Sequence, residues 1–153
     1  MLQLLQRGNL SMKIIIGSDH GGFSLKSLIK AHLEQQGIEV EDLGCYNEDS
    51  CDYPVIAKEV AKKVLLTAGK GILVCGTGIG MSIAANKFKG IRASLCSDTY
   101  SARMTRKHND SNVLCLGERV IGPGLALDIV DEWLVTEFEG GRHERRINML
   151  EIE

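Results

Sequence analysis

The sequence predicts an α/β protein, a three-layer αβα sandwich built on a five-stranded parallel sheet. Three observations carry this. Five short apolar runs, rich in β-branched residues, recur along the chain and alternate with stretches of helical periodicity. Most of the apolar runs end on glycine, where a strand hands over to a turn. No repeat, linker or low-complexity tract interrupts residues 12–153, which therefore read as one domain.

The elements follow in order. Lys13–Gly17 (KIIIG) is a continuous β-branched run, the pattern of a buried strand. In residues 22–37, Phe23, Leu25, Leu28, Ile29 and Leu33 recur at helical intervals and Gly37 closes the helix. Ile38–Gly44 (IEVEDLG) alternates apolar and polar residues, as a strand near a sheet edge does. Residues 45–54 form a loop. Residues 54–69 make an amphipathic helix with proline in its first turn and glycine after its last. GILVC (71–75) is the third strand, and a helix begins in GMSIAANKF (80–88). GIRASLC (90–96) is a strand, and residues 97–109 are a helix opened by a Ser or Asp cap. NVLCLG (112–117) is the fifth strand, residues 122–138 the last long helix, and a tail follows the double glycine at Gly140 and Gly141.

Alternating strands and helices imply right-handed crossovers. The simplest arrangement is the strand order 2-1-3-4-5 of a Rossmann- or flavodoxin-like sheet. Ligands in such sheets bind beyond the carboxyl ends of the strands, where the winding reverses. That point lies between strands one and three, so GSDHGG (17–22) and CGTGIG (75–80) are expected to face one another across a crevice.

Composition excludes several classes. A net charge of −2 over 153 residues lacks the basic excess of a nucleic-acid binder. No apolar run is long enough to cross a bilayer, so no membrane partner is expected. Residues 1–11 lack a signal-peptide core and cleavage site and precede the regular pattern, which reads as an extension left by cloning or an early start codon. The five cysteines are odd in number and include no C-x-x-C pair, so free thiols in a reducing cytoplasm are expected, with neither disulfides nor a metal site. Cys96 and Cys115 lie in apolar runs and read as small buried hydrophobes.

The glycine loop fails several familiar patterns. Gly76, Gly78 and Gly80 follow G-x-G-x-G, with Met81 where a dinucleotide loop needs its third glycine. The loop lacks the Lys-Ser/Thr pair of a Walker motif, and Met81 again stands where a C-x5-R phosphatase carries arginine. What remains is Cys75 at a strand end, beside the start of a helix whose partial positive charge favours a thiolate. The loop N–H groups and the Thr77 hydroxyl are placed to hold an oxyanion formed next to that base. An inert cysteine at a tight turn is the plain alternative, and the facing loop tips the balance against it. Asp19 there offers an acceptor for sugar hydroxyls, or a helix cap, and His20 a donor for phosphate.

Further along, His108 and Asn109 precede the fifth strand and read either as ligand contacts or as an ordinary helix end. Arg142 and Arg146 lie four apart, so a helical tail would aim both at one phosphate, as an arm that swings onto a ligand; a solvated tail is the plain reading. Arg119, after the fifth strand, is placed to join them.

Taken together, GSDHGGFSLK, DYP, CGTGIGMSIAANK, GIRA, HNDSNVLCLGERVIG and EGGRHERRINML resemble ribose-5-phosphate isomerase type B, in register from Met12 to about Leu150. The resemblance implies interconversion of ribose 5-phosphate and ribulose 5-phosphate, in the pentose phosphate pathway, without metal or cofactor. It implies Cys75 as the base, the backbone of Gly76 to Gly80 with Thr77 as stabiliser of the enediolate, and Asp19 and His20 as substrate contacts. His108 then assists ring opening beside Asn109, and Arg119, Arg142 and Arg146 serve the phosphate. It implies a homodimer or homotetramer whose subunits share each site. A second branch of the family carries a glutamate base on the helix after the glycine loop; here that place is read as Met81. Galactose and allose 6-phosphate isomerases are similar, but the two unlike galactose subunits divide these motifs between them, whereas this chain holds them all. A flavodoxin-like phosphate-binding regulator without catalysis is the other alternative.

Overall fold

A computed structural model describes residues 12–152, so the extension read at 1–11 lies outside the described residues. The strands are β1 (Lys13–Ser18), β2 (Glu39–Asp42), β3 (Lys70–Cys75), β4 (Ala93–Leu95) and β5 (Val113–Gly117). The helices are α1 (Phe23–Gln35), α2 (Tyr53–Thr67), α3 (Ile79–Ala85), α4 (Thr99–Asn109), α5 (Pro123–Val135) and α6 (Arg142–Ile147), with one 3-10 turn at His20–Gly22. Every strand pairing is parallel. Among the described residues no helix is long and apolar enough to cross a membrane.

Alternate strand residues feed two cores. Ile14, Ile16, Val74, Leu114 and Leu116 pack with Ile29 and Leu33 of α1 and Trp133 of α5. Ile15, Leu73, Cys75 and Cys115 face the other way, onto Val60 and Val64 of α2 and Met81 of α3. The period of two along each strand makes this division, and it puts Cys75 on the α2/α3 side.

The strand order is β2-β1-β3-β5-β4, which corrects the expected 2-1-3-4-5. Burial explains the exchange. All five residues of β5 (VLCLG) are buried and suit an interior strand. β4 has only three residues and ends at Leu95, 42% exposed, which suits an edge. The winding still reverses between β1 and β3, so the expected crevice keeps its place.

Local signals hold with small departures. Asp98 caps α4, its Oδ1 accepting the Ser101 N–H at 2.6 Å. Asn109 is the last residue of α4, and Asp110 (φ 45°) takes the left-handed turn after it. At the end of α2 the left-handed residue is Ala68 (φ 50°), one position before the expected glycine. Cys45 and Cys51 are joined by a disulfide, against the expectation of free thiols, while Cys75, Cys96 and Cys115 are free. The loop between β2 and α2 doubles back and brings the two Cα atoms to 6.8 Å, a reversal that periodicity does not encode.

Candidate active site

Cys75 is the last residue of β3 and only 5% exposed. Its sulfur accepts the Gly78 N–H at 3.0 Å, so the loop folds around the thiol. That turn needs glycine at 78. Its φ is 79°, and a Cβ there would stand 2.9 Å from the Leu116 carbonyl carbon. The Thr77 side chain is at the exposed crown, its Oγ1 accepting the Ile79 N–H at 3.3 Å. Gly80 lies against the ring of Tyr53.

The facing loop is where the topology places it. Asp19 N–H donates to the Val74 carbonyl at 3.3 Å, tying the end of β1 to the end of β3. A Cβ built on Gly21 would stand 3.3 Å from both Asp19 Oδ1 and Gly76 N, which measures how closely the two loops approach. Asp19 makes no capping bond, so the alternative reading as a helix cap is not met, and its Oδ1 is buried without a partner among the described residues. A buried acceptor in that state is costly unless a ligand hydroxyl reaches it. His20 is exposed, and its Nδ1 accepts the Cys51 N–H at 3.2 Å. The neutral ring then carries its proton on Nε2, free to donate. Arg119 closes the third side: its N–H donates to the Gly76 carbonyl at 3.0 Å and its guanidinium lies over Gly76.

Cys75, Thr77, Gly76, Gly78, Gly80, Asp19, His20 and Arg119 are thus gathered at the carboxyl ends of β1, β3 and β5. The other four predicted residues are elsewhere. His108 and Asn109 end α4, just ahead of β5, where the Asn112 carbonyl accepts the N–H of Gly71 at the start of β3. α6 carries Arg142 and Arg146, both exposed, and is anchored there by His143, buried and stacked on His108. In this structure the tail is a helix seated on α4, with His143 as its buried contact. The length of β3 separates the two groups; its five residue-to-residue steps at ~3.3 Å each make about 16 Å. One chain does not bring all twelve residues to one point.

Other residues support the site without a signal in the spacing. Glu118 Oε1 accepts the Leu25 N–H at 2.6 Å and caps α1 beside Arg119. Lys26, fully buried, pairs with Asp42 at 3.0 Å and donates to the Cys45 carbonyl, holding the loop whose Cys51 orients His20. Nothing in the helical pattern distinguishes Lys26 from a solvated lysine, whereas Tyr53 belongs to the DYP triplet already noted. Met81, at the place matched to the glutamate of the other branch, is fully buried in the core, while Ile79, beside Thr77 at the start of α3, is 51% exposed. Burial, with Asp98 second, pushes the Cys96 thiol up to about 11, and burial raises Cys115 further. Both act as hydrophobes. Cys75 alone among the free thiols opens toward the crevice loops.

Comparisons with known proteins bear on the sequence and the fold. The sequence model of the family described as Ribose/Galactose Isomerase matches residues 14–150. Ribose-5-phosphate isomerase B of Escherichia coli is 53% identical over 142 residues, covering 90% of this chain and 93% of that protein. The structure of ribose-5-phosphate isomerase B from Clostridium thermocellum superposes with a TM-score of 0.88 at 55% identity, covering 90% of this chain and 93% of that one. The enzyme of the same name from Mycoplasma genitalium, solved with bound ribulose-5-phosphate, gives 0.87 at 44% identity over 92% of this chain and 94% of that one.

Proposed function

The chain belongs to the ribose/galactose isomerase family, and we propose from that premise that it interconverts D-ribose 5-phosphate and D-ribulose 5-phosphate. The observation that carries this is the Cys75 thiol at the end of β3, wrapped by the Gly76–Gly80 backbone and faced by the unpartnered carboxylate oxygen of Asp19.

In this reading the substrate enters as the ring form, and His108, with Asn109 beside it, assists its opening. Cys75 as thiolate removes the C2 proton of the open aldose. The electron pair forms the C1–C2 double bond and the carbonyl electrons move onto O1, giving a cis-enediolate. The backbone N–H groups of the glycine loop and the Thr77 hydroxyl hold that oxygen; one preorganised donor contributes ~3–4 kcal/mol to such a step. The Cys75 proton then goes to C1, restoring the thiolate, while the O2 hydroxyl passes its proton to O1, which leaves the C2 ketone and the C1 hydroxyl of ribulose 5-phosphate. Asp19 and His20 hold sugar hydroxyls, and Arg119, Arg142 and Arg146 take the phosphate, whose remote binding energy positions the sugar. No step calls on a metal or cofactor.

Because His108, Asn109, Arg142 and Arg146 are at the far end of the sheet, we assign them to the site of a neighbouring copy, in a homodimer or homotetramer. A base that must remain a thiol fits a reducing cytoplasm; the Cys45–Cys51 bond is the feature that argues the other way. Turnover measured on ribose 5-phosphate, allose 6-phosphate and galactose 6-phosphate tests the assignment. Preference for the pentose is expected, and activity on a hexose phosphate alone would overturn it.

A further inference from the structure

His108 and His143 are stacked face to face, with ring centroids 4.3 Å apart and planes 12° from parallel. His108 is in the last turn of α4 and partly exposed. His143 is 8% exposed, although Arg142, Glu144, Arg145 and Arg146 around it are all exposed. The buried contact of α6 is therefore an imidazole laid flat on another imidazole. The segment before it is pinned as well. Glu139 N–H donates to the Lys107 carbonyl at 3.2 Å, and the Glu139 carboxylate stands 3.6 Å from His143 Nε2 and 3.8 Å from Lys107 Nζ.

We propose that His143 is a positioning residue for His108: its ring is the wall that sets the plane of the His108 imidazole and so the direction in which His108 presents its nitrogens. This rests on the reading of His108 as the group that assists ring opening. A histidine at the exposed end of a helix otherwise turns freely about χ2, a broad torsion. A parallel ring at this distance leaves one plane with full contact, and proton transfer to a sugar oxygen demands a defined one.

The surroundings of His143 disfavour a charge on it. The groups facing His143 are His108 and Lys107 from α4, Glu139 from the connection, and Arg142 and Arg146 from α6. Burial, then His108 and Arg142, push His143 below the usual histidine range, and Glu139 only partly opposes them. Two rings this close do not both hold a charge at neutral pH, and His143 is the one whose surroundings disfavour the charge. The donor atoms of His108, Glu139 and His143 come within 4.8 Å of one another. Parallel rings do not converge their lone pairs on one point, however, and Lys107, Arg142 and Arg146 repel a cation. Orientation of His108, rather than metal binding, is what this geometry serves.

Three variants test it. His143→Ala should lower kcat on ribose 5-phosphate by about 10- to 100-fold with little change in KM. His143→Phe, which keeps the flat wall and removes both nitrogens, should recover most of that loss. In nuclear magnetic resonance of the protein without substrate, the His108 Cε1–H signal, shielded by the stacked ring, should move downfield in His143→Ala and stay near its place in His143→Phe. An unmoved His108 signal, equal losses in both variants, or parent-like turnover in His143→Ala when His108→Ala is slow would each overturn the proposal. His108→Ala separates the two readings: if it keeps the parent kcat while the resonance behaves as expected, the role given to His108 fails and the orienting stack stands.

Discussion

If the two groups at opposite ends of the sheet belong to one site, two crippled subunits should rescue one another. Take Cys75→Ala, which removes the base, and His108→Ala, which removes the ring-opening group. Within a chain these positions are separated by most of β3, about 16 Å at ~3.3 Å per residue, so neither variant repairs itself by a side-chain shift. In an assembly each site takes its cysteine from one copy and its histidine from the next. Mixing equal amounts by joint refolding gives every site a one-half chance of a cysteine-bearing copy and a one-half chance of a histidine-bearing one. About one quarter of the sites are then intact, whatever the size of the closed ring. The assay is turnover of ribose 5-phosphate before and after mixing, with mixed assembly verified by native mass spectrometry. Each variant alone should be lower by about 10²- to 10⁴-fold, the typical worth of a proton-transfer group, so recovery to about a quarter of the parent rate is unambiguous. Verified mixed oligomers with no recovery would refute the shared site.

Four further outcomes are expected. Cys75→Ala should lower kcat by about 10²- to 10⁴-fold while KM stays near the parent value; parent turnover would remove the base assignment. Gly78→Ala puts a Cβ 2.5 Å from Leu95 Cδ1 at φ 79°. The left-handed conformation alone costs ~1–2 kcal/mol, so calorimetry should show Tm falling by at least about 2 °C, together with a lower kcat as the Gly78 N–H moves off the sulfur. Ala68→Gly relieves the left-handed end of α2 and should raise Tm by a few degrees, roughly 2–4 °C per kcal/mol; an unchanged or lower Tm would contradict the capping argument. Finally, burial and then Arg106 lower Lys70 to about 8, against ~10.4 for a free lysine. The unfolded chain then binds more protons than the folded one between these values, so unfolding free energy should rise with pH across that window. Urea unfolding at pH 8 and pH 10 should show the rise, and Lys70→Met should abolish it.

Much of this protein is written in local chemistry. The β-branched run at 13–17, the alternation at 38–44 and the apolar run at 112–117 specify strands and their depth, because burial on one face or two leaves a period that reads directly off the residues. The glycine spacing after Cys75 was likewise legible: a left-handed turn that approaches backbone so closely admits no other residue. So was the crevice between 17–22 and 75–80, since parallel winding reverses there whichever order the outer strands take. What tertiary structure alone decided is who neighbours whom. β5 displaced β4 from the interior because its five residues bury completely, a competition between distant segments that neither run expresses alone. Lys26 inside the protein, His143 laid against His108, and the separation of His108 from Cys75 all depend on contacts between elements far apart in the chain. A single sequence records the partners of such contacts without recording that they meet.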